Sequence, residues 1–526
     1  MPTATVSTRV PAYLALNLGF LLLVVAMALL GGAPNPRLPH MILLFAVCTT
    51  WILNFDRLNG PYALLALFQS FYFVSFGLLD VTNLLNGTSA ELENSLYSAT
   101  EGVVLAGAVM LTLGYQLGIR LATSRRGSRV ALDWPVPSVL TAGLVIWAVG
   151  TVSMFYWGVF VVTDTTIETT RIALNRLSPY AIAGNLLAGM LQPVGILLIA
   201  YARLKLRSPL LLTLVIVMVL IQVVLGFVIN GKSQAMIAGI LVIITAIFVE
   251  GRIPKAWVAA GILFAYVGFP ILQASRVEVH GERQVARSEI LSNLGTNLML
   301  AIEAKARLSK GPDKTQSLLE RTSVRGSLQM VVENTGATVP FQHGYTMLPL
   351  LYTFIPKLVL ADKISIPTGQ LVNKEFHVSE YADTYISPSI LGELYWNFGW
   401  YGVFGGMTII GLLVGYLGGR FDMSRTPTVT GLLVLVLTTK QVIVAFEGTI
   451  APEYVVWMRL LAAVGILHLL FARVPVADRR AAEDGVDAPE PAAAAPEPTG
   501  GGPRLPLAAP GSLGLSSGAP FPNLLR

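Results

Sequence analysis

Twelve runs of apolar residues punctuate this chain, and together they restrict its fold more than any other feature. They lie at about 12–30, 39–55, 61–80, 101–119, 138–158, 181–202, 209–229, 235–249, 256–273, 389–418, 428–447 and 455–472. Most approach the ~20 residues that a helix needs to cross a bilayer; the second and eighth are shorter. Of the 526 residues 54% are hydrophobic and only 13% charged, about half the charged share of a soluble domain. The expected fold is therefore an all-α polytopic membrane protein with about twelve transmembrane helices. The single cysteine, Cys48, sits in an apolar run, so no disulfide framework or cysteine metal site is expected. The five histidines show no i, i+4 metal-site spacing.

The net charge of +6 is distributed as membrane topology requires, and nucleic acid is not an expected partner. With a cytoplasmic N-terminus, the inner loops hold Arg57, Arg120, Arg125, Arg126, Arg129, Arg203, Lys205, Arg207, Arg252, Lys255, Arg420 and Arg425. The short outer loops keep Arg37, Arg171, Arg176 and Lys232. That bias places both termini in the cytoplasm. No small-residue cleavage site follows the first run, which is expected to remain as a signal anchor. The chain then divides into helices 1–9 (residues 1–273), a large extracytoplasmic loop (274–388), helices 10–12 (389–473) and a disordered cytoplasmic tail (474–526) rich in Ala, Pro and Gly. Within the loop, 286–308 has helical periodicity. Residues 344–360 are apolar but interrupted by Pro349 and Pro356, and are expected to lie on or dip into the outer leaflet. No internal repeat is evident, which counts against a transporter of inverted halves.

Charged and polar groups inside apolar spans are functional candidates, because each is costly unless paired or hydrated. Lys440, Gln441 and Glu447 lie in the eleventh run and Arg459 near the outer end of the twelfth. Glu393 and Asn397, at i and i+4, open the tenth. They form either a structural network, with Lys440–Glu447 or Glu393–Arg459 as ion pairs, or the lining of an outward-facing polar cleft. The rings of Tyr395, Trp396, Trp400 and Tyr401 read as an interfacial belt that puts Glu393 near the headgroup level as one wall of that cleft. Arg171, Arg176, Lys232, Arg276, Arg325, His343, Lys357 and Lys363 are expected at the same outer level. Singly these are solvated or headgroup-facing charges; together they make an anion site, for which arginine is the best clamp.

The chain has no P-loop, kinase signature, GxSxG elbow or HExxH. At the outer face of a cell membrane ATP is absent, so an enzyme there needs a substrate that arrives activated. A lipid diphosphate sugar meets that need. Its transfer calls for cations on the leaving diphosphate and a base for the attacking hydroxyl. Glu393 and His343 are the base candidates, followed by Glu447.

Three stretches carry a resemblance. "GELYWNFGWYGVFGGMTIIGLLVGYL" resembles the GE-x-Y-x-N-x-G-x-x-G helix of bacterial oligosaccharide repeat-unit polymerases, the Wzy-type O-antigen and capsule polymerases. "FQHGYTMLPLLYTFIPKLVLADKI" is similar to a family segment with a glycine, apolar and aromatic residues and then IP-[RK]. "NGKSQAMIAGILVI" is similar to a turn where glycine and a basic residue, usually arginine, precede a span. Arg325 also begins an R-x10-G spacing that ends at Gly336. The resemblance covers roughly 140–470. It implies a GT-C-like, metal-independent inverting glycosyltransferase in the bacterial cytoplasmic membrane, without cofactor. Such an enzyme polymerises undecaprenyl-diphosphate-linked repeat units, alongside a chain-length regulator and a flippase of the same pathway. Lys232, Arg276, Arg325 and Lys357 would then contact diphosphate or glycan, with Asn397, Lys440 and Arg459 as further substrate contacts. Glu393 and His343 would be base or acceptor-positioning groups. The competing expectations are an O-antigen-ligase-like enzyme, a flippase or exporter of the lipid-linked glycan, and a non-catalytic scaffold.

Overall fold

In lipid, a long apolar run can satisfy its own backbone polar groups only as a helix, and helix is what these runs form in the computed structural model. The structure describes residues 6–31, 38–55, 57–78, 81, 97–124, 131–156, 159, 179–229, 232–277, 287–308, 324–352, 355, 366–379 and 385–476. The first helices are α1 (Val6–Gly31), α2 (Leu38–Cys48), α3 (Ala63–Phe76), α4 (Tyr97–Ser124), α5 (Val136–Phe155), α6 (Pro179–Leu206), α7 (Pro209–Ile229), α8 (Lys232–Glu250) and α9 (Lys255–Val277). Between the ninth and tenth apolar runs come α10 (Arg287–Ser292), α11 (Leu294–Leu308), α12 (Arg325–Asn334), α13 (Leu348–Leu351) and α14 (Thr368–Phe376). The chain then forms α15 (Ser389–Arg420), α16 (Val429–Glu447) and α17 (Ile450–Phe471). A two-stranded antiparallel ribbon pairs β1 (Ala131–Asp133) with β2 (Val474–Val476), Leu132 opposite Pro475, so the first three residues expected in the tail belong to the fold; 477–526 lie outside the described residues.

Each of the twelve apolar runs is helical over most of its described residues, and seven of the described helices are long and apolar enough to cross a membrane. These include Arg9–Ala26, Pro209–Ile229 and Val429–Glu447; Leu38–Asn54, Ala63–Phe76 and Ala235–Glu250 are shorter apolar stretches. The helical periodicity at 286–308 becomes α10 and α11, separated by a turn at Asn293. The fold is an all-α membrane-embedded bundle.

Helix α16 is its centre, with Leu432, Leu433, Val436, Leu437 and Phe446 buried in the main core. Beside it, α4 and α15 approach until their backbones touch. A Cβ on Gly114 or Gly118 would strike the carbonyl oxygens of Thr408 and Leu412; one on Gly411 or Gly415 would strike those of Leu111 and Tyr115. Two facing small-xxx-small pairs therefore replace side-chain packing with backbone contact, a usual solution where lipid offers no hydrophobic drive to associate.

The expectation of one uninterrupted helix through 389–418 is corrected here. At Gly399 the backbone takes φ 59°, ψ −142°, outside helical space, and splits α15 into a short arm (389–398) and a long arm (400–420). The short arm folds back. A Cβ on Gly402 would meet the carbonyl oxygen of Leu394, and one on Gly406 would meet the Leu394 side chain. The long arm runs parallel to α4, with Trp400 beside Gly102 and Thr408 beside Gly114. Yet Leu391 lies beside Gly107, farther along α4 than Trp400. The short arm is thus a re-entrant hairpin limb, and the long arm alone keeps the ~20 residues that a span requires.

Candidate functional site

The short arm seats one face of its residues in the protein interior. Ser389, Glu393, Trp396 and Asn397 have no exposed surface. Glu393 is therefore no wall of an open cleft. One carboxylate oxygen accepts a 2.8 Å hydrogen bond from the Thr346 hydroxyl, and the other a 2.5 Å bond from the backbone N–H of Ile450. Ile450 is the first residue of α17, so Glu393 caps a helix that begins far from it in sequence.

Asn397 completes the link. Its amide donates to Thr346 Oγ1 (2.7 Å) and to the Glu393 carbonyl (2.8 Å), while its side-chain oxygen accepts from Gly344 N (2.9 Å). The break at Gly399 frees carbonyls at the end of the short arm, and two are taken up by the incoming segment. Gln342 N donates to Trp396 O (2.9 Å) and His343 N to Asn397 O (3.1 Å). Gly344 at φ 87° and His343 at φ 47° make the left-handed turn that brings Thr346 under Glu393. His343 is exposed, its ring 6.3 Å from that of Phe341.

The aromatic belt read from the sequence divides in two. Tyr401 is 88% exposed, whereas Trp396 is fully buried with Val331, Val339 and Val372. Helices α12 and α14 thus dock onto the short arm.

A second polar cluster adjoins the first through α12. Arg325, its first residue, forms a buried ion pair with Glu101 of α4. One turn on, Leu328 lies near Gly392, where a Cβ would be 3.6 Å from it. Gly336, the end of the R-x10-G spacing, holds φ 87° in the turn after α12. Neither expected pair on the last helices forms as drawn from sequence. Lys440 interacts electrostatically with Glu453 of α17, whose carboxylate accepts a hydrogen bond from Gln441. The oxygens of Glu393 go to Thr346 and Ile450, while Arg459 is half-buried and makes no ion pair among the described residues. Burial, with the carboxylates of Glu393 and Glu453 nearby, raises the Tyr385 phenol above its ordinary value; its hydroxyl lies 3.4 Å from Thr449 Oγ1.

The structure brings together Glu393, Asn397 and the backbone of His343, with Arg325 one helix away. Lys232 opens α8 and Arg276 lies near the end of α9, with only their backbones described; Lys357 lies outside the described residues. Sequence reasoning missed Thr346, Glu101 and Glu453. Of these only Glu453 carries a local signal, an acidic residue in the first turn of a helix after Pro452. Among the described residues no group of His, Cys, Asp and Glu could hold a metal ion. Compared with protein-family models, with characterised proteins and with solved structures, the chain matches none.

Proposed function

We propose that the chain is a metal-independent inverting glycosyltransferase. It joins undecaprenyl-diphosphate-linked oligosaccharide repeat units into a surface polysaccharide at the outer face of a bacterial cytoplasmic membrane. One observation carries this reading: two stretches that bear the resemblance, around Glu393–Asn397 and around Gln342–Thr346, are joined by hydrogen bonds into one structure. Arg325 reaches the same structure through α12. Distant segments that share a recognisable pattern and also share contacts are what a common site requires.

In this reading His343, exposed on its left-handed turn, takes the proton from the attacking sugar hydroxyl as the diphosphate leaves. Glu393 and Asn397 act as positioning residues that hold the turn. Arg325 carries the diphosphate charge, with Lys232, Arg276, Lys357, Lys440 and Arg459 as further cations for the lipid-linked glycan. A chain-length regulator and a flippase are the partners this pathway implies.

The test is purified protein in liposomes with lipid-linked repeat units, in which a ladder of longer glycans is expected. A ladder that forms only when the acceptor is a lipid A core would assign the ligase reading instead. A second reading, translocation of the lipid-linked glycan, draws on the re-entrant short arm, since broken helices are typical of transport sites. Lipid movement across the bilayer with no polymer formed would favour it and overturn the polymerase.

A further inference from the structure

The ion pair between Arg325 and Glu101 heads a cavity whose other lining residues the mechanism above does not use. Its polar end holds His40, Glu101 and Arg325. Below them its wall is apolar, formed by Met41 and Leu44 of α2, Phe76 at the end of α3, and Val104 and Leu105 of α4. Both charged partners are 8% exposed at the side chain. One oxygen of Glu101, Oε1, meets the guanidinium; the other, Oε2, is buried with no hydrogen-bond partner among the described residues.

A buried ion pair that serves only to hold helices together has its remaining lone pairs satisfied as a rule, because an orphaned charged oxygen is costly. Here the orphan belongs to a carboxylate lining the cavity, above an apolar slot. A guanidinium matches phosphate oxygens bidentately and gains more from a multiply charged anion than from a half-satisfied carboxylate.

We propose that Glu101 is an internal counter-ion that holds Arg325 in the substrate-free protein. The diphosphate head of an isoprenyl lipid displaces it, and the lipid chain enters the slot between α2, α3 and α4. This rests on the lipid-diphosphate substrate class proposed above and names where that substrate sits. Exchange of one anion for another at Arg325 breaks no covalent bond, and it spares the empty site an unpaired buried cation.

Binding of farnesyl diphosphate and of inorganic diphosphate to the purified full-length protein, measured by calorimetry, tests this without any polymerisation assay. Arg325→Ala is expected to weaken both ligands by about tenfold or more. Glu101→Gln removes the competing charge and is expected to tighten both by about threefold or more. Leu105→Trp narrows the slot and is expected to weaken farnesyl diphosphate alone. A Glu101→Gln protein that melts cooperatively and binds farnesyl diphosphate no better than wild type overturns the counter-ion role. Should that variant not fold, equal effects of Leu105→Trp on both ligands, or none on either, overturn the slot. Intact binding with no glycan ladder would instead count against the polymerase reading alone.

Discussion

A carboxylate in an apolar stretch invites a catalytic role, but Glu393 has a structural occupation that its neighbours in sequence do not reveal. Its spacing from Asn397 shows that the two share a helix face. Thr346 and Ile450, the groups that fill both oxygens, come from other segments. Glu393→Ala leaves a buried hydroxyl and a partly buried backbone N–H unpaired and is expected to cost about 2–4 kcal/mol, read as a lower unfolding midpoint in detergent; an unchanged midpoint would remove the capping role. His343 presents the opposite case, with an exposed ring on a backbone at φ 47°. Asparagine tolerates that conformation, so His343→Asn is expected to melt like wild type yet yield no polymer. Retained polymer would pass the base role to another group.

At the scale of elements, hydropathy reads α15 as a single helix because the break at Gly399 changes neither polarity nor length. Only the φ 59°, ψ −142° conformation marks it, and glycine alone adopts that region readily. In a straight helix residues 394 and 406 would stand about 18 Å apart, whereas here the Leu394 side chain occupies the place of a Gly406 Cβ. In a Cys48→Ser background, Leu394→Cys with Gly406→Cys is therefore expected to form a short cross-link within one chain; a pair that resists linking would restore the straight helix. The last two helices share a further device. Glu393 receives the first N–H of α17, and Asp133 receives that of α16, from Val429 N at 2.7 Å. Burial raises the Asp133 pKa despite this bond. Its contribution to stability is thus full below the unfolded-state pKa and is lost as pH rises through the folded one. Asp133→Asn keeps an acceptor without the charge, so its melting midpoint should gain on wild type as pH rises from about 4. A constant difference across pH would show that Asp133 titrates normally.

For the molecule as a whole, the distribution of Lys and Arg predicts which face is which, and labelling tests it. Thr338 follows α12 and Ser124 ends α4; both are exposed. A membrane-impermeant maleimide is expected to label Thr338→Cys in intact cells, and Ser124→Cys only after permeabilisation. The reverse pattern would invert the topology. The membrane class, the helical state of every apolar run and the helical stretch at 286–308 were legible in the sequence by itself. Each follows from local hydropathy or periodicity, and an apolar segment in lipid has helix as its solution wherever its neighbours lie. Tertiary structure alone decided that the tenth run folds back at Gly399, that Glu393 faces Thr346 and Ile450, and that Arg325 meets Glu101. Those outcomes rest on pairings between segments far apart in the chain. A polar group's partner is chosen by which helices pack side by side, and hydropathy does not record that choice.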